Sequence, residues 1–170
     1  MVSFPDGAGP KPEPSLLEEA KQNLPDLYTQ AMADSGSWRP LAVLKSGKRR
    51  DVVGIPDYDR KDYEKVAGAL IEKFKATEIV VVLEAQCTFG EVDSVGLVMI
   101  HGNETETAMV VTKVDVDGQS YATRNWSNGE ENNIPFTLHK VFDKDYRKDL
   151  CKGFKLKKLV QAGDESHGLW

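Results

Sequence analysis

The sequence predicts an α+β domain. Its antiparallel sheet of about five strands, a β-hairpin plus a β-meander, is flanked by three helices in the order α-β-β-α-β-β-β-β-α. Three observations predict it. Thr77 to Ala85 (Thr-Glu-Ile-Val-Val-Val-Leu-Glu-Ala) is the most apolar and most β-branched run in the chain, with the length and composition of a central strand. Just before it, Tyr63, Val66, Ala67, Leu70, Ile71 and Phe74 recur at three- and four-residue steps, which is one face of a helix. After it come further alternating runs separated by short turn signals, the pattern of a meander.

The elements follow in order. Residues 1–14 hold Pro5, Pro10, Pro12 and Pro14 and read as a Pro-rich flexible arm. Ser15-Leu-Leu-Glu18 is a capping box, a Ser hydroxyl for an orphan amide with a Glu three residues on. Leu17, Ala20, Leu24, Leu27 and Ala31 continue it as a helical face, with Leu16, Tyr28 and Met32 flanking. Pro25 predicts a kink or two short helices meeting there, and Gly36 an end. Arg39–Lys45 and Asp51–Ile55 flank Ser46-Gly47 and read as a hairpin with Lys45, Lys48, Arg49 and Arg50 at its tip.

Asp59 or Asp62 starts the next helix, and Gly68 in its middle costs about 1 kcal/mol against Ala. A close approach of helix to sheet would account for it. In the run after it, Ile79, Val81 and Leu83 point one way and Val80, Val82 and Glu84 the other. Both faces are apolar until Glu84, so this strand is covered on both sides. Asp93 to His101, Glu106 to Asp115 and Gln119 to Trp126 continue the meander, with Gly102-Asn103 and Asp117-Gly118 as turns.

From Phe136 to Lys152 there is no Gly or Pro. Leu138, Phe142, Tyr146 and Leu150 fall at steps of four, and Lys140, Lys144, Lys148 and Lys152 at the same step offset by two residues. One continuous helix would carry these as opposite ridges, capped by Thr137 and ended by Gly153. Phe154 to Val160 reads as a short strand or extended arm, and 161–170 as a polar tail. The single domain is therefore placed at 15–160. This order of elements is similar to profilin-like and roadblock-type domains, in which a β-meander of about five strands is flanked by helices. No motif of those families maps onto residues here, so the resemblance implies no site residue.

The charge is uneven. Residues 1–136 carry 14 basic and 22 acidic side chains, residues 137–160 carry 8 basic and 3 acidic, and the whole chain is −5. An acidic body argues against a nucleic-acid binder that uses its entire surface. The first residues, Met1-Val-Ser-Phe-Pro-Asp-Gly, have neither a basic nor an apolar leader region, and no apolar run approaches membrane length, so a cytoplasmic protein is expected. Cys87 and Cys151 lie in no metal-ligand spacing.

Candidate chemistry is sparse. Glu84, Cys87 and His101 are the one set resembling a catalytic group, but antiparallel pairing through a loop near residues 86–93 sends His101 to the far end from Cys87. His139 and Asp143 stand four apart, half of a metal site without a third ligand. Asp115-Val-Asp117-Gly118 matches the opening of a calcium loop, but Trp126 stands where the closing Glu belongs. Asn103-Glu-Thr105 and Asn125-Trp-Ser127 fit the glycosylation pattern and, with no secretory leader, read as chance matches. No phosphate-cradling glycine motif and no nucleophile elbow occur. No cofactor or metal is expected.

The most unusual polar feature is the basic set Lys140, Lys144, Arg147, Lys148, Lys152, Lys155, Lys157 and Lys158. It reads as a face for a partner or polyanion, against the plainer reading of a solvated helix face. The leading expectation is a non-catalytic binding or assembly protein working through protein contacts or self-association. A nucleic-acid or other polyanion binder comes second and an enzyme third.

Overall fold

In a computed structural model, the described residues are 15–35, 38–55, 58–89, 92–114, 120–126, 137–158 and 160–161. The expected features outside them include the Pro-rich arm, the helix end at Gly36, the Asp117-Gly118 turn and the tail beyond Gln161. Helix α1 (Leu16–Ser35) leads into strands β1 (Leu41–Ser46) and β2 (Arg49–Gly54), helix α2 (Tyr63–Phe74), and strands β3 (Glu78–Phe89), β4 (Val92–Asn103), β5 (Thr107–Val114) and β6 (Ser120–Trp126). A 3-10 turn at His139–Phe142, helix α3 (Lys144–Leu150) and a two-residue strand β7 (Val160–Gln161) complete the order. The chain is α+β with an antiparallel sheet, in the strand order β6-β5-β4-β3-β1-β2-β7.

The long strand centres the sheet because both its faces are apolar. Ile79, Val81 and Leu83 enter a core with Val66, Ala67, Leu70 and Ile71 of α2. Val80 and Val82 enter a second core with Leu16, Ala20, Leu27 and Tyr28 of α1. β3 pairs β4 from Glu78↔Asn103 to Phe89↔Val92 and pairs β1 on its other side from Leu41↔Val82 to Lys45↔Glu78. Helices therefore cover both faces at the centre of the sheet. On the α1 face, Trp38 stacks against Tyr28 with ring centroids 6.0 Å apart. Its indole N–H donates to the Val82 carbonyl at 3.4 Å.

Local rules explain most element ends. The Ser15 hydroxyl accepts from the Glu18 amide at 3.2 Å, the first half of the capping box. The Glu18 carboxylate pairs instead with Lys21 at 3.3 Å. α1 runs through Pro25 as one element rather than two. Leu16 and Ala20 before the proline and Leu27 and Tyr28 after it are buried in one core, and this packing outweighs one lost hydrogen bond. Gly47, at φ +62, turns the hairpin. Asp62 precedes α2 but forms no side-chain cap.

The C-terminal helix departs from expectation. Instead of one helix over 136–152 there is a 3-10 turn, a break at Asp143 in extended geometry (φ −72, ψ 122), and a short α3. Two causes act, one non-local and one local. The Thr107 hydroxyl, fully buried at the start of β5, accepts from the amides of Leu138 (2.8 Å) and His139 (2.9 Å), and so serves as the cap in place of Thr137. The Asp143 carboxylate accepts from the Tyr146 amide at 2.9 Å and restarts the helix.

Two glycines mark where this segment docks. A side chain at Gly102 would overlap Leu138, which is fully buried against the strand. A Cβ at Gly68 would stand 2.7 Å from Cys151 Sγ and 3.1 Å from Val141 Cγ1. The close approach at Gly68 is therefore to the C-terminal segment and not to the sheet.

Candidate functional site

The basic set does not lie on one ridge. Lys140 is on the 3-10 turn, Lys144 and Lys148 on α3, Lys152 in the turn that follows, and Lys155, Lys157 and Lys158 on the stretch leading to β7. All seven lysines are exposed. Arg147 turns inwards. Its guanidinium donates to the Val141 carbonyl at 3.0 Å and pairs with Glu72 of α2 at 3.3 Å. It is a brace between α3 and α2 and leaves the binding set.

The opposing ridge is broken in the same way. Leu138 is buried, Phe142 and Leu150 are half-buried, and Tyr146 is 38% exposed. Its hydroxyl lies 3.4 Å from Glu64, and burial, followed by the Glu64 charge, raises its pKa above the ordinary tyrosine value. Tyr146 stands among Lys144, Asp145, Lys148 and Asp149, all exposed. Lys140, Lys144, Lys148, Lys152, Lys155 and Lys158 have no ion-pair partner among the described residues.

Beyond α3 the chain is tied down by Tyr58. Phe154 packs on the Tyr58 ring with centroids 5.7 Å apart. The Lys157 ammonium lies 4.6 Å from the ring centroid, and the Lys157 amide donates to the Tyr58 hydroxyl. β7 then pairs with β2 at Val53↔Gln161 and Gly54↔Val160. Three lysines are thereby carried to the outer border of the sheet.

A second polar group lies at one end of the sheet on the α1 face. Lys45, Glu78 and Asn103 stand opposite one another across β1, β3 and β4. Glu78 Oε2 pairs with Lys45 at 3.2 Å, and Oε1 meets His101 Nε2 at 2.9 Å. Burial alone would raise the Glu78 pKa, but the His101 and Lys45 hydrogen bonds outweigh it and hold it below the ordinary carboxylate value. Arg50 of β2 grips Glu19 of α1 in the neighbouring position, at 3.0 and 2.9 Å. Lys45 and Arg50 are therefore internal struts, and only Lys48 and Arg49 of the expected hairpin tip are exposed.

A cleft of about 650 Å³ opens beside this cluster, lined by Lys45, Glu78 and Asn103 on one side and Glu72, Lys75 and Arg147 on the other. Each Glu78 oxygen holds one partner, Lys45 or His101, and the cluster ties β1, β3 and β4 together at this end of the sheet.

The other candidates resolve individually. His101 stands opposite Val80 and Cys87 opposite Ser94. Seven steps of β3 separate them, about 23 Å at 3.3 Å per residue. Glu84 is exposed, and its charge adds to burial in raising the Tyr28 pKa. His139 Nδ1 lies 2.7 Å from the Thr107 hydroxyl, whose proton it accepts because both hydroxyl lone pairs already take amides. With Asp143 serving as a helix cap, the half-site is dismantled. Among the described residues no three His, Cys, Asp or Glu side chains converge as metal ligands, and no helix is long and apolar enough to cross a membrane. Burial pushes the Cys151 thiol up, against the pull of Arg147 and Lys65, which keeps it a packing group.

Sequence reasoning missed Thr107, the Lys45–Glu78–His101 group and the inward turn of Arg147. One signal was present. Lys45, Glu78 and His101 each break an apolar column, after Val43, before Val80 and after Met99. They meet only once the register of three strands is known. No family model matches the chain, and no curated protein or solved structure matches it.

Proposed function

We propose that this is a small non-catalytic binding protein that acts through contacts with another protein, and that the exposed segment from Lys140 to Lys158 is its contact surface. The observation that carries the reading is the group of six exposed lysines without ion-pair partners among the described residues, around the exposed ring of Tyr146. Elsewhere some cations are paired, as in Arg50–Glu19, Lys45–Glu78 and Arg147–Glu72, and the exposed cations without an ion pair among the described residues, such as Lys48, Lys73 and Lys75, are not gathered on one segment around an exposed ring. A tyrosine ringed by charge has the composition of an interface anchor and its rim.

A polyanion is the second reading, favoured by the excess of 8 basic over 3 acidic side chains in residues 137–160. Asp143, Asp145 and Asp149 are exposed among the lysines. They would face a phosphate backbone with like charge, whereas a protein surface can offer both signs.

The test is charge reversal at Lys144→Glu, Lys148→Glu and Lys152→Glu together. The reading expects a partner cross-linked by the wild type to be lost by the triple variant, while unfolding of the free protein is little changed. Equal capture by both proteins would refute it. Oligonucleotide titration separates the second reading, because phosphate contacts steepen the salt dependence by about 0.9 per contact on a log–log plot.

A further inference from the structure

The turn between β4 and β5 carries two spare carboxylates. Glu104 and Glu106 are exposed and have no ion-pair partner among the described residues. The turn is held by other atoms, since the Asn103 side-chain oxygen accepts from the Thr105 and Glu106 amides at 2.9 Å each.

This acidic turn adjoins the lysine segment. Thr107, the next residue, holds the amides of Leu138 and His139, and Leu138 packs on Gly102 just before the turn. From there the segment runs along α2, away from the turn. Arg147 meets Glu72, and Cys151 Sγ lies 3.5 Å from the Lys65 carbonyl, about 10 Å nearer the start of α2 at 1.5 Å per residue. Glu104 lines the same cleft as Glu72 and Arg147, with Lys75 on the α2 wall. The acidic turn therefore marks one end of this surface, and Lys152, beside Cys151, lies toward the other. From Lys140 to Lys158, six exposed lysines without ion pairs outnumber three exposed aspartates.

An acidic end and a basic end make the surface self-complementary. A two-fold rotation lays each end on its opposite in a second copy, so the same contact forms twice. A foreign acidic protein would pair with the lysines but set its own charge against Glu104 and Glu106. Among the described residues Tyr146 is the one exposed large apolar side chain. It stands between Lys144 and Lys148, where a second copy would cover it.

We propose that this surface joins two copies of the chain in a two-fold dimer, with Glu104 and Glu106 of each copy against Lys144, Lys148 and Lys152 of the other. This rests on the reading of the lysine segment as a contact surface and names what it contacts.

The test is sedimentation equilibrium of the full chain and its charge-swapped variants. The wild type is dimeric at low salt and dissociates as salt rises. Lys144→Glu with Lys148→Glu and Lys152→Glu sets acid against acid. Glu104→Lys with Glu106→Lys sets base against base. Each variant alone self-associates at least about ten-fold more weakly. Mixed in equal amounts the two regain the dimer, because each then meets its opposite at both contacts. Tyr146→Ala weakens the wild-type dimer by about ten-fold. Every substituted residue is exposed, and matched melting temperatures show that association alone has changed.

A wild type that keeps the mass of one chain up to about 1 mM would overturn the proposal. So would a dimer that survives either reversal, or a mixture that stays monomeric. A mass that keeps rising past two chains is the sign of an open head-to-tail contact and would overturn it as well. The contact-surface reading is decided separately. It stands if a cross-linked foreign protein is lost by the lysine reversal while the chain is monomeric, and fails if that protein is retained.

Discussion

Replacing Thr107 by valine keeps the side chain's branched shape and removes one oxygen. That oxygen accepts from two amides, at 2.8 Å from Leu138 and 2.9 Å from His139, and lies 2.7 Å from His139 Nδ1. Leu138 is fully buried and its amide has no water to turn to. Leaving such a donor unpaired costs about 1–3 kcal/mol. His139 is half-buried, so water recovers part of its loss, and about 1 kcal/mol more is expected there. Thr107→Val should therefore destabilise the protein by about 2–4 kcal/mol.

In a urea titration with a slope near 2 kcal/mol/M, that loss moves the midpoint down by roughly 1–2 M and leaves the slope unchanged. Thr107→Ser keeps the hydroxyl and should lose only about 1 kcal/mol for the missing methyl. A valine variant within about 0.5 kcal/mol of wild type, or a serine variant as damaged as the valine one, would refute the assignment of Thr107 as the cap that positions the C-terminal segment.

Two glycine substitutions should separate by what they meet. Gly102→Ala drives a methyl into Leu138 at its Cβ and main chain, atoms that cannot rotate away, and should cost about 3 kcal/mol in the same titration. Gly68→Ala meets the ends of Cys151 and Val141 side chains and gains about 1 kcal/mol of helix propensity. It should cost about 1–2 kcal/mol alone, and Cys151→Ala should relieve it, a coupling that a double-mutant cycle reads as non-additivity.

The Glu78 pKa is lowered in the folded protein. The stability its ion pairs provide is therefore present above the ordinary glutamate range and lost as pH falls through the lower folded-state pKa. Melting temperature against pH should fall more steeply in acid for the wild type than for Glu78→Gln. The two should differ most near neutrality, and parallel curves would count against the pairing.

What could be read in advance was local and periodic. The alternation from Ile79 to Leu83 fixed which side chains enter which core, and the two clusters divide as that alternation requires. The face from Tyr63 to Ile71 likewise returns as the buried side of α2. Apart from the local cap of Asp143 on the Tyr146 amide, the failures share one cause, contact between residues far apart in sequence. Nothing near Leu138 shows that its amide will be claimed by a hydroxyl 31 residues earlier. The four-residue period of the lysines therefore suggested a helix that Thr107 and Asp143 interrupt. The ion pairs of Lys45, Arg50 and Arg147 reach across 33, 31 and 75 positions, and took three of the apparent surface cations inside. At Pro25 the helix continues as one element rather than two, with buried residues on both sides of it.

The central claim is that the exposed lysines from Lys140 to Lys158 are a contact surface for another protein. The most direct measurement is quantitative cross-linking to a partner by the wild type and by the combined Lys144→Glu, Lys148→Glu and Lys152→Glu variant, at matched melting temperature. Loss of the partner by at least about ten-fold, equivalent to about 1.4 kcal/mol or more of binding energy, is the predicted result. Undiminished capture by a folded variant would contradict it.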